Sequence, residues 1–278
     1  MMLYGRAMNA AIPFPAIDPV AFALGPLEFR WYGLAYMIGL LFAWYQARRL
    51  LMRAELWGGR TRFRPDDLDN LIVLCTLGVV LGGRLGYVLF YNTEHYLLNP
   101  QDIFKLWHGG MSFHGGLAGA AAALYGYARW KSVPTLSAFD LAACVAPVGL
   151  LLGRLANFIN GELWGRATDA SWGIVFPNAG PVPRHPSQLY EAATEGLLLY
   201  IAVHLISRRG GLMSPGRTTA VFAIGYAAAR IFCEFFREPD PQLGFLFGSF
   251  ATMGMVLSLP MLAIGIWLLM RRGKTAAA

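Results

Sequence analysis

Residues 68–91 read LDNLIVLCTLGVVLGGRLGYVLFY, and this stretch indicates a helix that crosses a membrane. Its side chains are almost all apolar, and its length exceeds the roughly 20 residues that a helix needs to span a bilayer. A bilayer offers no water to hydrogen-bond the backbone, so the run is predicted to be a helix rather than a strand of an open sheet. Its arginine, Arg84, lies in the half nearer the carboxyl end.

The composition extends this interpretation to the whole chain. The 278 residues are 56% hydrophobic and only 14% charged, whereas a soluble domain usually carries about a quarter charged residues. The length suits one helical membrane domain, residues 1–278, with no room for a second large soluble one. The predicted fold class is therefore an all-α integral membrane protein.

Seven spans are predicted from the apolar runs. They lie at about 31–50, 68–91, 114–130, 138–158, 187–207, 218–236 and 248–270. An odd number of spans places the two termini on opposite sides of the membrane. Glycines recur at four-residue spacing inside them, at 82 and 86, 115 and 119, and 149 and 153, which is typical of closely packed membrane helices.

The basic residues give the orientation. Fourteen of the 23 lysines and arginines fall in loops on one side: Arg48, Arg49, Arg53, Arg60, Arg62, Arg64, Arg129, Lys131, Arg208, Arg209, Arg217, Arg271, Arg272 and Lys274. Positive loops face the cytoplasm, so the N-terminus is predicted outside and the C-terminus inside. This distribution also accounts for the net charge of +7 without a nucleic-acid partner.

The outer side is predicted to carry three non-spanning segments. Residues 1–30 are expected to be an interfacial lead-in that stays on the protein, because prolines and Asp18 interrupt the apolar stretch of a cleaved signal. The long connections 92–113 and 159–186 are expected to form an outer head, since loops of that length are often functional. The three cysteines, Cys75, Cys144 and Cys233, fall inside apolar runs and are interpreted as core residues, with no metal site or disulfide.

Several arginines are predicted to lie at membrane depth, and the packing of apolar helices does not explain them. Arg84, Arg154, Arg230 and Arg237 fall in or at the outer ends of spans two, four and six. Each costs roughly 2.5–3.5 kcal/mol to insert on translocon scales, so pairing or a bound anion must offset it. Two interpretations stay open for these arginines. In the first, they pair with Glu191, Glu195 and Glu234 or extend to lipid headgroups. In the second, they form a binding site for an anion.

Helical spacing brings these residues together on two faces. Arg154 and Asn157 are three residues apart, and Tyr226, Arg230, Glu234 and Arg237 follow one face of another helix. If Arg230 pairs with Glu234, we expect Arg230 and Arg237 to face an anion, since guanidinium groups bind phosphate oxygens in pairs.

Three polar segments stand at predicted helix ends. GGMSFHGGLAG (109–119) places His114 at the start of span three, where a neutral imidazole is a candidate base, although an interfacial histidine is the plainer reading. RHPSQLYE (184–191) places Ser187 as the cap of span five, with Gln188 and Glu191 facing inward. The third segment, GRLANFINGELWGR (153–166), holds Arg154, Asn157, Asn160, Glu162 and Arg166.

Segment 153–166 resembles the signature of bacterial prolipoprotein diacylglyceryl transferases. Supporting segments follow in the family's order: RWYGL (30–34), GGRLGYVLFY (82–91), GGMSFHGG (109–116), RHPSQLYE (184–191) and REPD (237–240). The resemblance implies a seven-span protein of the bacterial inner membrane that needs no cofactor. It implies transfer of the diacylglyceryl group of phosphatidylglycerol to the lipobox cysteine of a prolipoprotein, with glycerol phosphate leaving.

The resemblance also implies roles for individual residues. Arg154 and Arg230 match the family's essential arginines and would hold the phosphate, and His114 matches its functional histidine. Five more matches would shape the lipid site or position the base: Tyr226, Tyr32, Asn157, Glu162 and Gly165. Arg84 and Arg237 are added to the predicted lipid site because of their depth.

Two rival functions share the arginines. A transporter or flippase for an anionic lipid should show inverted repeats and broken helices at the midplane, whereas the polar residues here gather toward the outer ends. A purely structural membrane subunit would not need arginines at this depth.

Overall fold

The computed structural model describes residues 12–15, 17–59, 63–239, 244–246 and 251–271. Parts of several predictions lie outside this range: residues 1–11 and 16 of the N-terminal segment, the basic residues Arg60, Arg62, Arg272 and Lys274, Asp240 of REPD, and residues 248–250 of span seven.

The described chain is mostly helical. Its helices are α1 (Trp31–Leu51), α2 (Leu68–Phe90), α3 (Thr93–Leu98), α4 (Phe113–Trp130), α5 (Thr135–Ile159), α6 (Ser187–Arg208), α7 (Arg217–Glu234) and α8 (Met253–Met270). Every helix except the six-residue α3 falls on one of the seven predicted spans.

Four of these helices are long and apolar enough to cross a membrane. They are α2 with the turn before it from Pro65, α5, α6 and α8. The chain is therefore a helical membrane protein with four spans supported by length and hydropathy. Crossing by α1, α4 and α7, and the sidedness of the termini, stay predictions.

Residues 1–45 and 143–278 form one compact unit, and residues 46–142 form another. In the first unit, α6 packs on α7 and α7 packs on α8. A side chain at Gly196 of α6 would meet the backbone of Leu151 of α5 at 2.8 Å, so these two helices approach closely there. A side chain at Gly153 would meet nothing within 4 Å, so the predicted packing role of the pair Gly149 and Gly153 is wrong at that position.

Two small sheets also belong to the first unit, and the sequence did not predict them. Strands β2 (Val20–Leu24) and β3 (Leu27–Arg30) form an antiparallel hairpin that runs directly into α1. Strands β1 (Ile12–Pro13) and β4 (Ile174–Val175) pair in parallel and join the N-terminal segment to the connection between α5 and α6.

In the second unit, α2 and α4 pack backbone against backbone. A Cβ at Gly82 would lie 2.9 Å from the Cα of Gly119, and a Cβ at Gly86 would lie 2.8 Å from the Cα of Gly115. The predicted packing role of these four glycines is confirmed. Close contact at small residues supplies the dispersion energy that holds helices together in lipid.

Candidate active site

A buried cluster of three arginines and three glutamates lies where α5, α6 and α7 meet. Arg154 comes from α5, Glu191 and Glu195 from α6, and Arg230 and Glu234 from α7; Arg237 follows three residues after the end of α7. Spacing on helices explains the arrangement, because Glu191 and Glu195, like Arg230 and Glu234, are four residues apart and share a face.

Glu191 is the centre of the cluster. Its Oε1 accepts hydrogen bonds from Nη1 of Arg230 at 3.2 Å and from Nη1 of Arg237 at 3.1 Å. Its Oε2 lies 2.8 Å from Nε of Arg154. One carboxylate therefore contacts three guanidinium groups at once.

The other two glutamates complete the charge balance. Glu234 forms a close ion pair with Nη2 of Arg230, and its Oε1 lies 4.0 Å from Nε of Arg237. Glu195 is more distant, at 3.6 Å from both Nη2 of Arg154 and Nη1 of Arg230. Three positive and three negative groups thus offset one another, as buried charges require.

This pairing confirms one of the two interpretations left open by the sequence. The ion pairs with Glu191, Glu195 and Glu234 are present. Arg230 and Arg237 both contact Glu191 and Glu234. The expectation that these two arginines also face an anion stays a prediction. Any anion that binds here joins an existing network.

The arginine side chains of the cluster are more exposed than the side chains of Glu191 and Glu195. The side chains of Glu191 and Glu195 are fully buried, at 0% exposed, while those of Arg154, Arg230 and Arg237 are 17%, 14% and 11% exposed. The guanidinium groups therefore form the accessible side of the cluster, and the carboxylates lie behind them.

Glu195 lies in a π-helical segment of α6, Ala192–Leu198. Such segments are rare inside α-helices and are frequently found at functional sites. The predicted inward orientation of Gln188 and Glu191 is confirmed, because both are completely buried.

The loop after α5 is folded by the polar residues of segment 153–166. Glu162 accepts hydrogen bonds from the side-chain amides of Asn157 at 2.7 Å and Asn160 at 3.2 Å. Gln188 donates to the carbonyl of Glu162, and the Ser187 hydroxyl donates to the carbonyl of Leu163. Ser187 is thus the first residue of α6 and a loop anchor, and its predicted capping role is wrong.

Gly165 permits the closest backbone contact in this loop. It forms an antiparallel bridge with Arg237, and a Cβ there would lie 2.7 Å from the carbonyl oxygen of His185. The next residue, Arg166, donates to the carbonyls of Glu234 and Arg237, both at 2.9 Å. Sequence reasoning grouped Arg166 with the polar residues but did not identify this contact with the end of α7.

Two tyrosines predicted for the site lie near the cluster. Tyr226 of α7 is within electrostatic range of Glu195, Arg230 and Arg154. Tyr32, near the start of α1, is within range of Glu162 and Arg154, and its hydroxyl lies 3.1 Å from that of Tyr36. Tyr32, Asn157, Glu162, Gly165 and Tyr226 therefore belong to the same unit as Arg154 and Arg230.

Arg84 makes backbone contacts that the sequence did not predict. Its guanidinium group donates to five backbone carbonyls: those of Ile103, Gly109, Gly110, Asp102 and Lys105. These bonds use all five N–H donors of an arginine. Arg84 is 3% exposed and holds segment 102–110 against α2, and its place in a lipid site stays a prediction.

His114 lies where the sequence placed it within its helix. It is the second residue of α4, and its side chain is exposed. Ser112 caps this helix by accepting a hydrogen bond from the backbone N–H of Gly115 at 3.2 Å. His114 belongs to the second unit, so its predicted role as a base rests on the resemblance alone.

The potential metal ligands and the cysteines of the described residues do not indicate a further site. No group of three His, Cys, Asp or Glu side chains there has the arrangement of a metal site. Cys144 and Cys233 are buried and Cys75 is half-buried, as expected of core residues.

Comparison with known proteins finds one family. A family model described as prolipoprotein diacylglyceryl transferase matches residues 19–271. A curated protein of Methylocella silvestris is 58% identical over 259 residues, which cover 93% of this chain and 95% of that protein. Proteins of Rhizobium meliloti and Rhodopseudomonas palustris are each 53% identical, over 97% and 96% of this chain and 97% and 95% of their own lengths. All three are named phosphatidylglycerol–prolipoprotein diacylglyceryl transferase.

Proposed function

The chain belongs to the prolipoprotein diacylglyceryl transferase family, and we propose that it transfers the diacylglyceryl group of phosphatidylglycerol to the lipobox cysteine of prolipoproteins. The product is a thioether, and glycerol phosphate leaves. The observation that carries the proposal is the match over nearly the whole chain, which includes segment 153–166 and every predicted site residue.

The geometry of the cluster fits the phosphate side of this reaction. Arg154 and Arg230 offer partly accessible guanidinium groups, and carboxylates behind them fix their positions. A preorganised cationic surface stabilises charge that develops in the transition state without first having to reorganise. We assign the phosphate and its leaving charge to Arg154 and Arg230, with Arg237 beside them.

The proposed reaction is a displacement at carbon. The cysteine sulfur attacks the glyceryl carbon that carries the phosphate ester, a C–S bond forms, and the C–O bond breaks. The phosphate takes the electron pair of that bond, where the arginines stabilise it, and the thiol proton passes to His114 or, where the neighbouring arginines lower the pKa of the thiol, to solvent. Tyr32, Tyr226, Asn157, Glu162 and Gly165 shape or position the lipid site in this proposal.

The proposed setting is the bacterial inner membrane. Seven spans, an outer N-terminus and a cytoplasmic C-terminus would place the outer connections and the site on the periplasmic side. This orientation rests on the positive-inside distribution of basic residues.

The direct test is to incubate the purified protein with labelled phosphatidylglycerol and a lipobox peptide and to measure thioether formation. We expect transfer by the unmodified protein and at least a hundredfold loss in Arg154→Ala, because removing a preorganised oxyanion donor typically costs 10²–10³ in rate. Arg30→Ala is the control, since Arg30 is exposed and pairs only locally with Glu28. Full activity of Arg154→Ala would contradict the phosphate role.

The same assay tests the base and excludes the rival function. His114→Gln keeps a polar side chain but cannot take a proton at neutral pH, so we expect the rate of transfer to fall. Undiminished transfer by that variant would remove the need for a histidine base. Movement of the labelled lipid across vesicles without peptide modification would instead favour a flippase.

A further inference from the structure

Glu195 differs from the other carboxylates of the cluster. It is completely buried, and neither of its oxygens accepts a hydrogen bond from any residue the structure describes. Its nearest cationic nitrogens, on Arg154 and Arg230, are 3.6 Å away. Burying a charge without hydrogen bonds is costly. Glu195 is therefore the carboxylate of the cluster that loses the fewest favourable contacts when it binds a proton.

Glu191 and Glu234 lie closer to the arginines than Glu195 does. Glu191 accepts hydrogen bonds from Arg230 and Arg237 and lies 2.8 Å from Arg154. Glu234 is in direct contact with Arg230. These are short charge-assisted contacts, which are the strong ones, and Glu195 has none of them.

The surroundings of Glu195 come from three helices and the segment after α7. The titratable and charged groups that face it are Arg154 of α5, Glu191 of α6, Tyr226, Arg230 and Cys233 of α7, and Arg237. With Glu234, the cluster contains three guanidinium groups and three carboxylates. Its formal charge is balanced before any ligand arrives.

A phosphodiester brings one negative charge that the cluster does not compensate. An uncompensated charge in a buried site is strongly unfavourable. A proton taken up at the same time removes that cost, because the carboxylate that becomes neutral offsets the added phosphate.

We propose that Glu195 takes up one proton when the phosphate of the lipid binds to Arg154 and Arg230. This inference rests on the proposed function, because it takes the ligand to be a lipid phosphodiester. It makes Glu195 the group that matches the charge of the site to its substrate. The π-helical segment around Glu195 is the part of α6 that places it behind the two arginines.

The test is the pH dependence of lipid binding in detergent micelles. Proton uptake weakens binding as pH rises, by up to tenfold per pH unit where the carboxyl group of the empty site is ionised. We expect this slope for phosphatidylglycerol in the unmodified protein. Glu195→Gln imitates the protonated acid, so it should bind with nearly constant affinity, close to that of the unmodified protein at low pH.

Glu238→Gln is the matched control, because Glu238 pairs with Arg184 outside the cluster and is about half exposed. It should keep the slope of the unmodified protein. Glycerophosphoglycerol carries the same phosphodiester without acyl chains, so an equal slope at lower affinity would assign the effect to the phosphate. A slope only with the intact lipid, or an unchanged slope in Glu195→Gln, would overturn the proposal.

A second measurement does not depend on whether Glu195→Gln folds. Infrared difference spectra of the unmodified protein should gain a protonated carboxyl band, sensitive to deuterium exchange, when phosphatidylglycerol is added. Absence of that band overturns the proton uptake even if transfer to the lipobox peptide proceeds normally. Absence of transfer in the unmodified protein would overturn the proposed function instead.

Discussion

At the scale of single residues, the cluster depends most on Glu191. One carboxylate contacts Arg154, Arg230 and Arg237, so its removal changes the surroundings of all three. Breaking a buried ion pair is strongly destabilising, since it leaves an uncompensated charge inside the protein.

Glu191→Gln should therefore lower stability by about 3 kcal/mol or more, because three arginines would then face two carboxylates. Thermal unfolding in detergent measures the effect, and Glu238→Gln provides the control at a half-exposed ion pair. An unfolding midpoint equal to that of the unmodified protein would mean that the arginines do not need Glu191.

Gly165 is a second position where a single substitution should matter, because the structure leaves no room for a side chain there. A Cβ at this position would meet the carbonyl oxygens of Phe236 and His185, which belong to rigid backbone. We expect Gly165→Ala to cost about 2 kcal/mol of stability, as overpacking typically does. Transfer should fall more than stability alone explains, because the loop carries Glu162; measured activity that tracks only the folded fraction would argue against this.

The sequence predicted which residues gather at the site better than it predicted their partners. The family resemblance named Arg154, Arg230, Asn157, Glu162 and Gly165, which lie in one unit, and His114, which lies in the other. Arg84 was added because of its depth, and depth in an apolar run is the same for an arginine that binds a ligand and one that binds carbonyls. The carbonyl partners of Arg84 lie 18 to 26 residues along the chain, and no spacing rule indicates them.

At the scale of elements, Arg84 links α2 to the segment that follows α3. Lysine has three N–H donors, so Arg84→Lys would leave at least two of the five carbonyls without their donor. We expect faster amide hydrogen exchange in residues 100–110 and little change in the exposed control Arg30→Lys. Unchanged exchange together with a raised KM for phosphatidylglycerol would show instead that Arg84 contacts the lipid.

The packing of α2 on α4 gives a comparison within one helix. A Cβ at Gly119 would collide with the carbonyl of Gly78, whereas a Cβ at Gly126 would meet nothing within 4 Å. Gly119→Ala should cost about 2 kcal/mol, and Gly126→Ala should leave thermal unfolding unchanged or slightly higher. Equal effects of the two substitutions would show that the close approach of these helices does not matter for stability.

Helices were predictable because long apolar runs leave a bilayer-spanning chain little choice. The four short strands were not, because segments of two to five residues such as VAFAL carry no alternation of polar and apolar residues. The π-helical turn was equally hidden. It alters the hydrogen-bond pattern of α6 without altering the composition of the helix.

At the scale of the whole molecule, the open question is how many helices cross the membrane. Among the helices that the structure describes, α2, α5, α6 and α8 alone meet both the length and the hydropathy requirements for a span. The hydropathy of α7 is lower partly because this helix carries the polar residues Arg217, Tyr226, Arg230 and Glu234. A helix that lines a buried charge cluster can be polar on that face and still cross a bilayer, because the charges face protein rather than lipid.

Labelling from one side of the membrane tests the seven-span prediction. Ser132 lies between α4 and α5 on the predicted cytoplasmic side, and Asn178 lies between α5 and α6 on the predicted outer side; both are exposed. In a variant with Cys75, Cys144 and Cys233 changed to Ala, an impermeant maleimide added to spheroplasts should label Asn178→Cys and spare Ser132→Cys. Both sites should react after lysis, which controls for access. Labelling of Ser132→Cys from outside would mean that α4 does not cross in the predicted direction, and the positive-inside argument would then fail for this loop.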